Sequence, residues 1–237
     1  MKKILPVAVL AALAGVNGAQ AVNVNSDGLG QVLLYPFYTA EGSQDTYINL
    51  VNTTDEYKAV KVRILESMNS QEVLDFNLYL SPQDHWSAVI TASEEGEGAT
   101  IMSGDKSCTV PLAVSEGKVI HFRDFEYQDD SENGLDRTRE GYVEVIEMGT
   151  VVGGDYQDAI LHEDGVPDDC TVLDDAWNDG GDWTDNSEDG MSAPTGGLYG
   201  YGVLINVDEG TDATYDAVAL ESFGSSGLHT EPGSLDP

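Results

Sequence analysis

Positive charge is scarce in this sequence, and beyond Arg139 there is no lysine or arginine at all. The chain carries 10 Lys plus Arg against 43 Asp plus Glu, a net charge of −33. A field of that sign repels phosphate backbones, which excludes nucleic acid as a partner, and it opposes adsorption to anionic lipid. No apolar run reaches the 18 residues needed for a membrane-crossing helix, so no transmembrane span is expected. Local metal and nucleophile signatures are also missing. His85, His121, His162 and His229 are far apart in sequence, without H-x-H or H-x-x-x-H spacing, and there is no G-x-S-x-G. Carboxylates are too numerous for any catalytic pair to be chosen. Nothing here points to an enzyme.

What is present begins with an export signal. Lys2 and Lys3 precede an apolar run from Ile4 to Val16, and Ala19 and Ala21 supply the A-x-A pattern of a cleavage site. The run is too short to span a ~30 Å hydrocarbon core. Residues 1–21 are therefore expected to be a cleavable signal peptide, placing the protein in the periplasm, on the outer surface or outside the cell. In such a compartment the two cysteines, Cys108 and Cys170, are expected to form one disulfide. The acidity then reads as solubility in a saline medium, or as a supply of oxygen ligands for a hard cation.

Alternating apolar residues and turn chemistry predict strand after strand over 31–38, 46–52, 59–65, 73–80 and 85–90. In the third of these, Val60, Val62 and Ile64 share one face, with Lys61 and Arg63 on the other, the pattern of a strand with one buried side. Further strands are expected at 99–102, 108–110, 119–122, 141–148, 202–207 and 217–220. Short helices could form at 156–161 and 172–177. The organisation expected is β-sandwich core strands over 22–123, then an acidic second half over 124–223 that completes the same domain. This half contains a loop insert over 155–194, and a linker-like tail follows over 224–237. That tail leaves open a chain continuing past Pro237. The fold class is all-β: an antiparallel, immunoglobulin-like sandwich with long acidic loop insertions.

The stretch YINLVNTTDEYKAVKVRILESMNSQEVLDFNLYLSPQDHW, within 30–86, resembles the N-terminal region of uncharacterised exported and cell-surface proteins of Gram-negative, largely marine bacteria. The resemblance covers about a quarter of the chain. It implies a secreted protein with an immunoglobulin-like start to its fold, and it carries over no functional residues.

Two ligand sites can be named from the insert. Asp185, Ser187 and Asp189 followed by Gly190 fit the first half of an EF-hand loop, with Asp179 and Asp182 close by, and the ion would be Ca²⁺. The match fails at the twelfth position, where Gly196 stands in place of the bidentate glutamate. Trp177 and Trp183, six apart among carboxylates, could stack on a sugar, or could instead anchor the insert to the core. The function expected is a secreted or cell-surface structural or adhesion-type β protein without enzymatic activity. The alternative is a Ca²⁺-stabilised carbohydrate-binding or other extracellular module. Its partners would be cell-surface components, glycans or further copies of itself.

Overall fold

A computed structural model describes residues 21–124 and 134–234. The signal-peptide expectation lies, except for Ala21, outside the described residues.

Sixteen strands are described: β1 (Asn23–Val24), β2 (Val32–Thr39), β3 (Gln44–Asn52), β4 (Tyr57–Glu66), β5 (Glu72–Leu80), β6 (His85–Ala92), β7 (Ala99–Met102), β8 (Cys108–Val110), β9 (Ile120–His121), β10 (Glu140–Val151), β11 (His162–Glu163), β12 (Val166–Pro167), β13 (Met191–Ser192), β14 (Leu198–Asn206), β15 (Thr211–Asp216) and β16 (Val218–Glu221). Sheet A runs β1-β16-β2-β10-β4-β5-β8, with β13 pairing β10, and sheet B runs β15-β14-β3-β6-β7-β9. Pairing is antiparallel throughout, and the two sheets pack into an all-β sandwich. Each strand turns its apolar set inward because side chains alternate across the pleat. Leu33 and Tyr35, Ile48 and Leu50, Val60 and Val62, Phe76 and Leu78, Trp86 and Ala88, and Val143 and Val145 make one core between the sheets.

The two halves of the sequence interleave. Strand β10 sits between β2 and β4, and β14 sits beside β3. Gly141, the second residue of β10, lies at a register shift, where a Cβ would run into the Leu65 carbonyl.

Three sequence expectations need correction. Strand β4 does not have one solvent face: Lys58 and Lys61 are fully buried, and every residue of β5 is buried. The outer side of sheet A is covered. Residues 155–194 are not a loop insert but a folded cap with three short helices, α1 (Gly154–Ile160), α2 (Thr171–Ala176) and α3 (Asp182–Asp185). Tyr156, Ile160, Leu173, Ala176 and Trp183 of the cap form a second apolar cluster with Ala59, Tyr79, Cys108, Val110, Met148 and Val151 of the sheet. The Cys108–Cys170 disulfide joins edge strand β8 to the residue before α2.

The C-terminal segment is likewise no linker as far as Ser234. It runs over sheet A beside the cap: Leu228 N–H donates to Met148 C=O (2.8 Å), and Asn77 Nδ2 donates to Thr230 C=O (2.9 Å). Lys61 Nζ donates to Glu231 C=O (2.7 Å), and Gly233 N–H to Asp75 Oδ2 (2.8 Å). These partners offset the cost of burying the polar atoms that they meet. Basic side chains are used in the same way. Lys58 pairs with Glu147 (2.8 Å), Arg63 with Glu72 and Glu144, and Arg137 with Glu66 (2.9 Å). Much of the scarce positive charge is thus inside, each cation with a buried carboxylate, and few basic side chains are left for the surface.

Candidate functional site

The cap is organised around Trp183. Its ring stacks on Tyr79 (5.5 Å between centroids, 10° between planes) and meets Tyr156 at 4.5 Å, Trp177 at 5.4 Å and His229 at 4.6 Å. Its indole N–H donates to Asp189 C=O (2.9 Å). Trp177 Nε1–H donates to the Tyr79 hydroxyl (3.1 Å), which donates in turn to His229 Nε2 (3.0 Å). With Nε2 accepting, Nδ1 carries the proton and donates to Ser187 C=O. The ring is therefore held neutral, its pKa pushed down to about 4 by burial. Trp183 is 1% exposed and offers no face to a sugar. Trp177 is half-buried and, with Trp183 beneath it, lines a shallow depression of about 410 Å³ shared with Asp185, Ser187 and Thr230. Both rings serve as anchors of the cap, worth far more buried in an aromatic cluster than exposed.

The expected cation ligands do not converge. Asp179, Asp182, Asp185 and Asp189 are exposed and Ser187 is half-buried. Among the described residues, no three His, Cys, Asp or Glu side chains are placed to hold a metal ion. The reason lies in the packing of α3. Burying Trp183 aims Asp182 at the Tyr156 hydroxyl (3.1 Å), and the backbone carbonyls of Ser187 and Asp189 are taken by His229 and Trp183. Asp182 and Asp189 do line one open groove of about 560 Å³ together with Asp155 and Asp175, a gathering that sequence spacing did not suggest.

One cluster has the composition of a catalytic triad without its geometry. Ser81 Oγ lies 3.0 Å from His162 Nδ1, and Asp84 Oδ2 lies 3.8 Å from the same nitrogen. A serine–histidine–aspartate relay needs the two partners on opposite ring nitrogens. Ser81 is buried, and Asp84, its pKa raised by burial, also accepts from Ser81 N–H and Ser107 Oγ. These contacts pin the β11–β12 hairpin to the β5–β6 turn.

The outward face of sheet B differs from the rest of the surface. Strand register lines up Val203, Tyr47, Val89 and Met102 across four strands. The next rows hold Tyr201, Asn49 and Ser87, then Tyr199, Val51 and His85. Tyr47 is 38% and Met102 41% exposed, and none of these eight aliphatic, aromatic and thioether side chains, counting Ile205, belongs to either buried cluster. No lysine, arginine or glutamate interrupts the rows. Acids stand at the margins: Asp45 and Asp212 opposite Ile205, and Asp216 opposite Tyr201, within reach of the Tyr199 hydroxyl at 3.0 Å. This face is not visible in the sequence because its residues come from four separate strands whose register is tertiary. No family model, no curated protein and no solved structure matches the chain, so its site rests on these residues alone.

Proposed function

We propose that the protein is an exported, non-enzymatic cell-surface protein of structural or adhesive type, and that it holds neutral glycan through the outward face of sheet B. The observation that carries this reading is the stripe Val203–Tyr47–Val89–Met102 with its flanking Tyr199 and Tyr201, an apolar and aromatic surface on a chain of net charge −33. Exposed apolar patches of this kind mark interaction sites. Tyrosine suits them because its ring is apolar and its hydroxyl is polar. Asn49, Ser87 and Asp216 beside the rings supply groups that accept or donate to sugar hydroxyls. The acidic margin repels polyanionic chains and, at low salt, a second copy of the protein. The N-terminal leader pattern and a closed disulfide support export.

The test is binding of the full chain to immobilised neutral and anionic surface polysaccharides, with the wild type beside Tyr47→Ser/Tyr201→Ser. Retention on neutral chains, lost in the double variant while its melting temperature holds, is the result expected. Absence of neutral-glycan binding, or reproducible turnover of a substrate, would overturn the reading. Salt-dependent dimerisation through the same face would replace the glycan by a second copy.

A further inference from the structure

Lys61 and Asp75 are diagonal neighbours on the adjacent strands β4 and β5, Lys61 standing opposite Asn77 and Asp75 opposite Arg63, under the C-terminal segment. Both side chains are fully buried, yet Nζ and Oδ2 are 3.7 Å apart, too far for a hydrogen bond, whereas the neighbouring buried pair Lys58–Glu147 closes to 2.8 Å. Lys61 Nζ spends its donor on Glu231 C=O (2.7 Å), and Asp75 Oδ2 accepts Gly233 N–H (2.8 Å). Asp75 Oδ1, also buried, has no partner among the described residues. As an ion pair this arrangement is poor: two charges out of water, loosely joined, with one carboxylate oxygen unsatisfied.

We infer that Lys61 and Asp75 condense into an intramolecular amide, cross-linking β4 to β5. The ammonium first passes a proton to the carboxylate, leaving a neutral amine beside a carboxylic acid. The Nζ lone pair attacks Cγ of Asp75, and the C–N bond forms. A proton from Nζ goes to the oxygen at the Oδ1 position, the Cγ–Oδ1 bond breaks, and water leaves. No electrons change hands and no co-reactant is needed. Every retained contact survives in the product: the amide N–H still donates to Glu231 C=O, and the amide oxygen still accepts Gly233 N–H. The atom that departs is the one without a partner. The product holds no buried charge at this pair.

The surroundings favour the neutral amine that the reaction needs. Burial lowers the pKa of Lys61. Glu72, close enough for its charge to act on both groups, has its own pKa raised by burial and by Asp75, which suits it to shuttle the proton. It is placed by Arg63 Nε at 3.1 Å. Glu72 is thus a positioning and proton-carrying residue. Pro232 and Gly233 lie beside Asp75 in the wall of a mostly apolar cavity of about 310 Å³, into which the released water can leave.

Intact-mass spectrometry of the full, disulfide-closed chain tests this. The mass is expected one water below that set by the sequence, with a branched peptide joining the segments that carry Lys61 and Asp75 after proteolysis. Lys61→Met, which keeps the aliphatic stem, and Asp75→Ala should restore the full mass, and Glu72→Gln should slow the loss in freshly folded protein. Wild-type protein at full mass would overturn the inference. So would a water deficit that persists in Lys61→Met, the mark of succinimide at a site such as Asp164-Gly165 or Asp189-Gly190. If Lys61→Met fails to fold, the branched peptide of the wild type decides alone.

Discussion

The Tyr79 hydroxyl donates to His229 Nε2 at 3.0 Å, tying the middle of the sheet–cap interface to a residue 150 positions further on. The contact works only with neutral imidazole, because protonated Nε2 would be a donor facing a donor. Through it the cap, the C-terminal segment and β5 become one packing unit, and its chemistry makes the unit sensitive to pH.

His229 has a folded-state pKa of about 4 against an ordinary 6.5. A lowered histidine pKa contributes stability that is complete above 6.5 and is lost as pH falls toward 4. The gap corresponds to ~3 kcal/mol. Against a His229→Gln variant, the wild-type advantage in chemical denaturation should shrink by about that amount between pH 7 and pH 4. A constant difference across the range would refute the assignment. Amide exchange at 228–230 should quicken over the same interval.

The Lys58–Glu147 pair should show the asymmetry of buried charge. Glu147 also accepts Thr195 N–H (2.9 Å) and Gly196 N–H (2.7 Å), and burial raises its pKa. Lys58→Met leaves the carboxylate alone in the interior and should cost ~3–5 kcal/mol. Lys58→Met/Glu147→Gln should recover at least half of that in urea denaturation. Acidification toward pH 5 should stabilise the single variant relative to the wild type, because the orphaned carboxylate can then take up a proton.

Trp183→Ala empties the centre of the aromatic cluster and should cost ~3–5 kcal/mol, as for other large buried aromatics. Trp177→Ala, at the surface, should cost less. Neither should change glycan retention directly, since sheet B lies on the other side of the core. Loss of glycan binding in Trp177→Ala at unchanged stability would move the site to the cap.

The disulfide spans 62 residues. On the chain-entropy argument, Cys108→Ser/Cys170→Ser should lose about 4 kcal/mol. Because the bond joins the cap to edge strand β8, the loss should appear first as proteolysis within 153–190 while sheet B stays intact. Uniform unfolding of the whole chain would show instead that cap and sandwich fold as one unit.

Salt should stabilise the fold without calcium specificity. The acidic groups repel one another across the surface, and screening shortens that repulsion from tens of ångströms to a few. The melting temperature should rise with NaCl. CaCl₂ at matched ionic strength should do no better if Asp179, Asp182, Asp185 and Asp189 remain separate, and a concentration-dependent excess with Ca²⁺ would show that the cap closes around an ion.

Strand patterns were readable wherever one face is apolar. The alternation at Val60, Val62 and Ile64 reports the pleat directly, and the helix pattern at 156–161 and 172–177 was visible even within an acidic run. What stayed hidden is what covers the second face. Lys61 between valines looks solvated until a segment more than 150 positions away lies over it and supplies a carbonyl. Trp177 and Trp183 left a sugar platform and an anchor both open because exposure is not written in residue type, and the acidic run left a cation site and a solvated loop both open because convergence is not written in spacing.

The sequence by itself determined the all-β class, the candidate strands, the acidity and the availability of two thiols for one bond, since all of these follow from local alternation and from counting. Only the tertiary structure decided that the cap is folded, that the charged face of β4 is interior, and that tyrosines and aliphatics from separate strands line up on sheet B. Those depend on strand register and on which distant segment covers which face, and both are set by the free energy of burying surface over the whole chain.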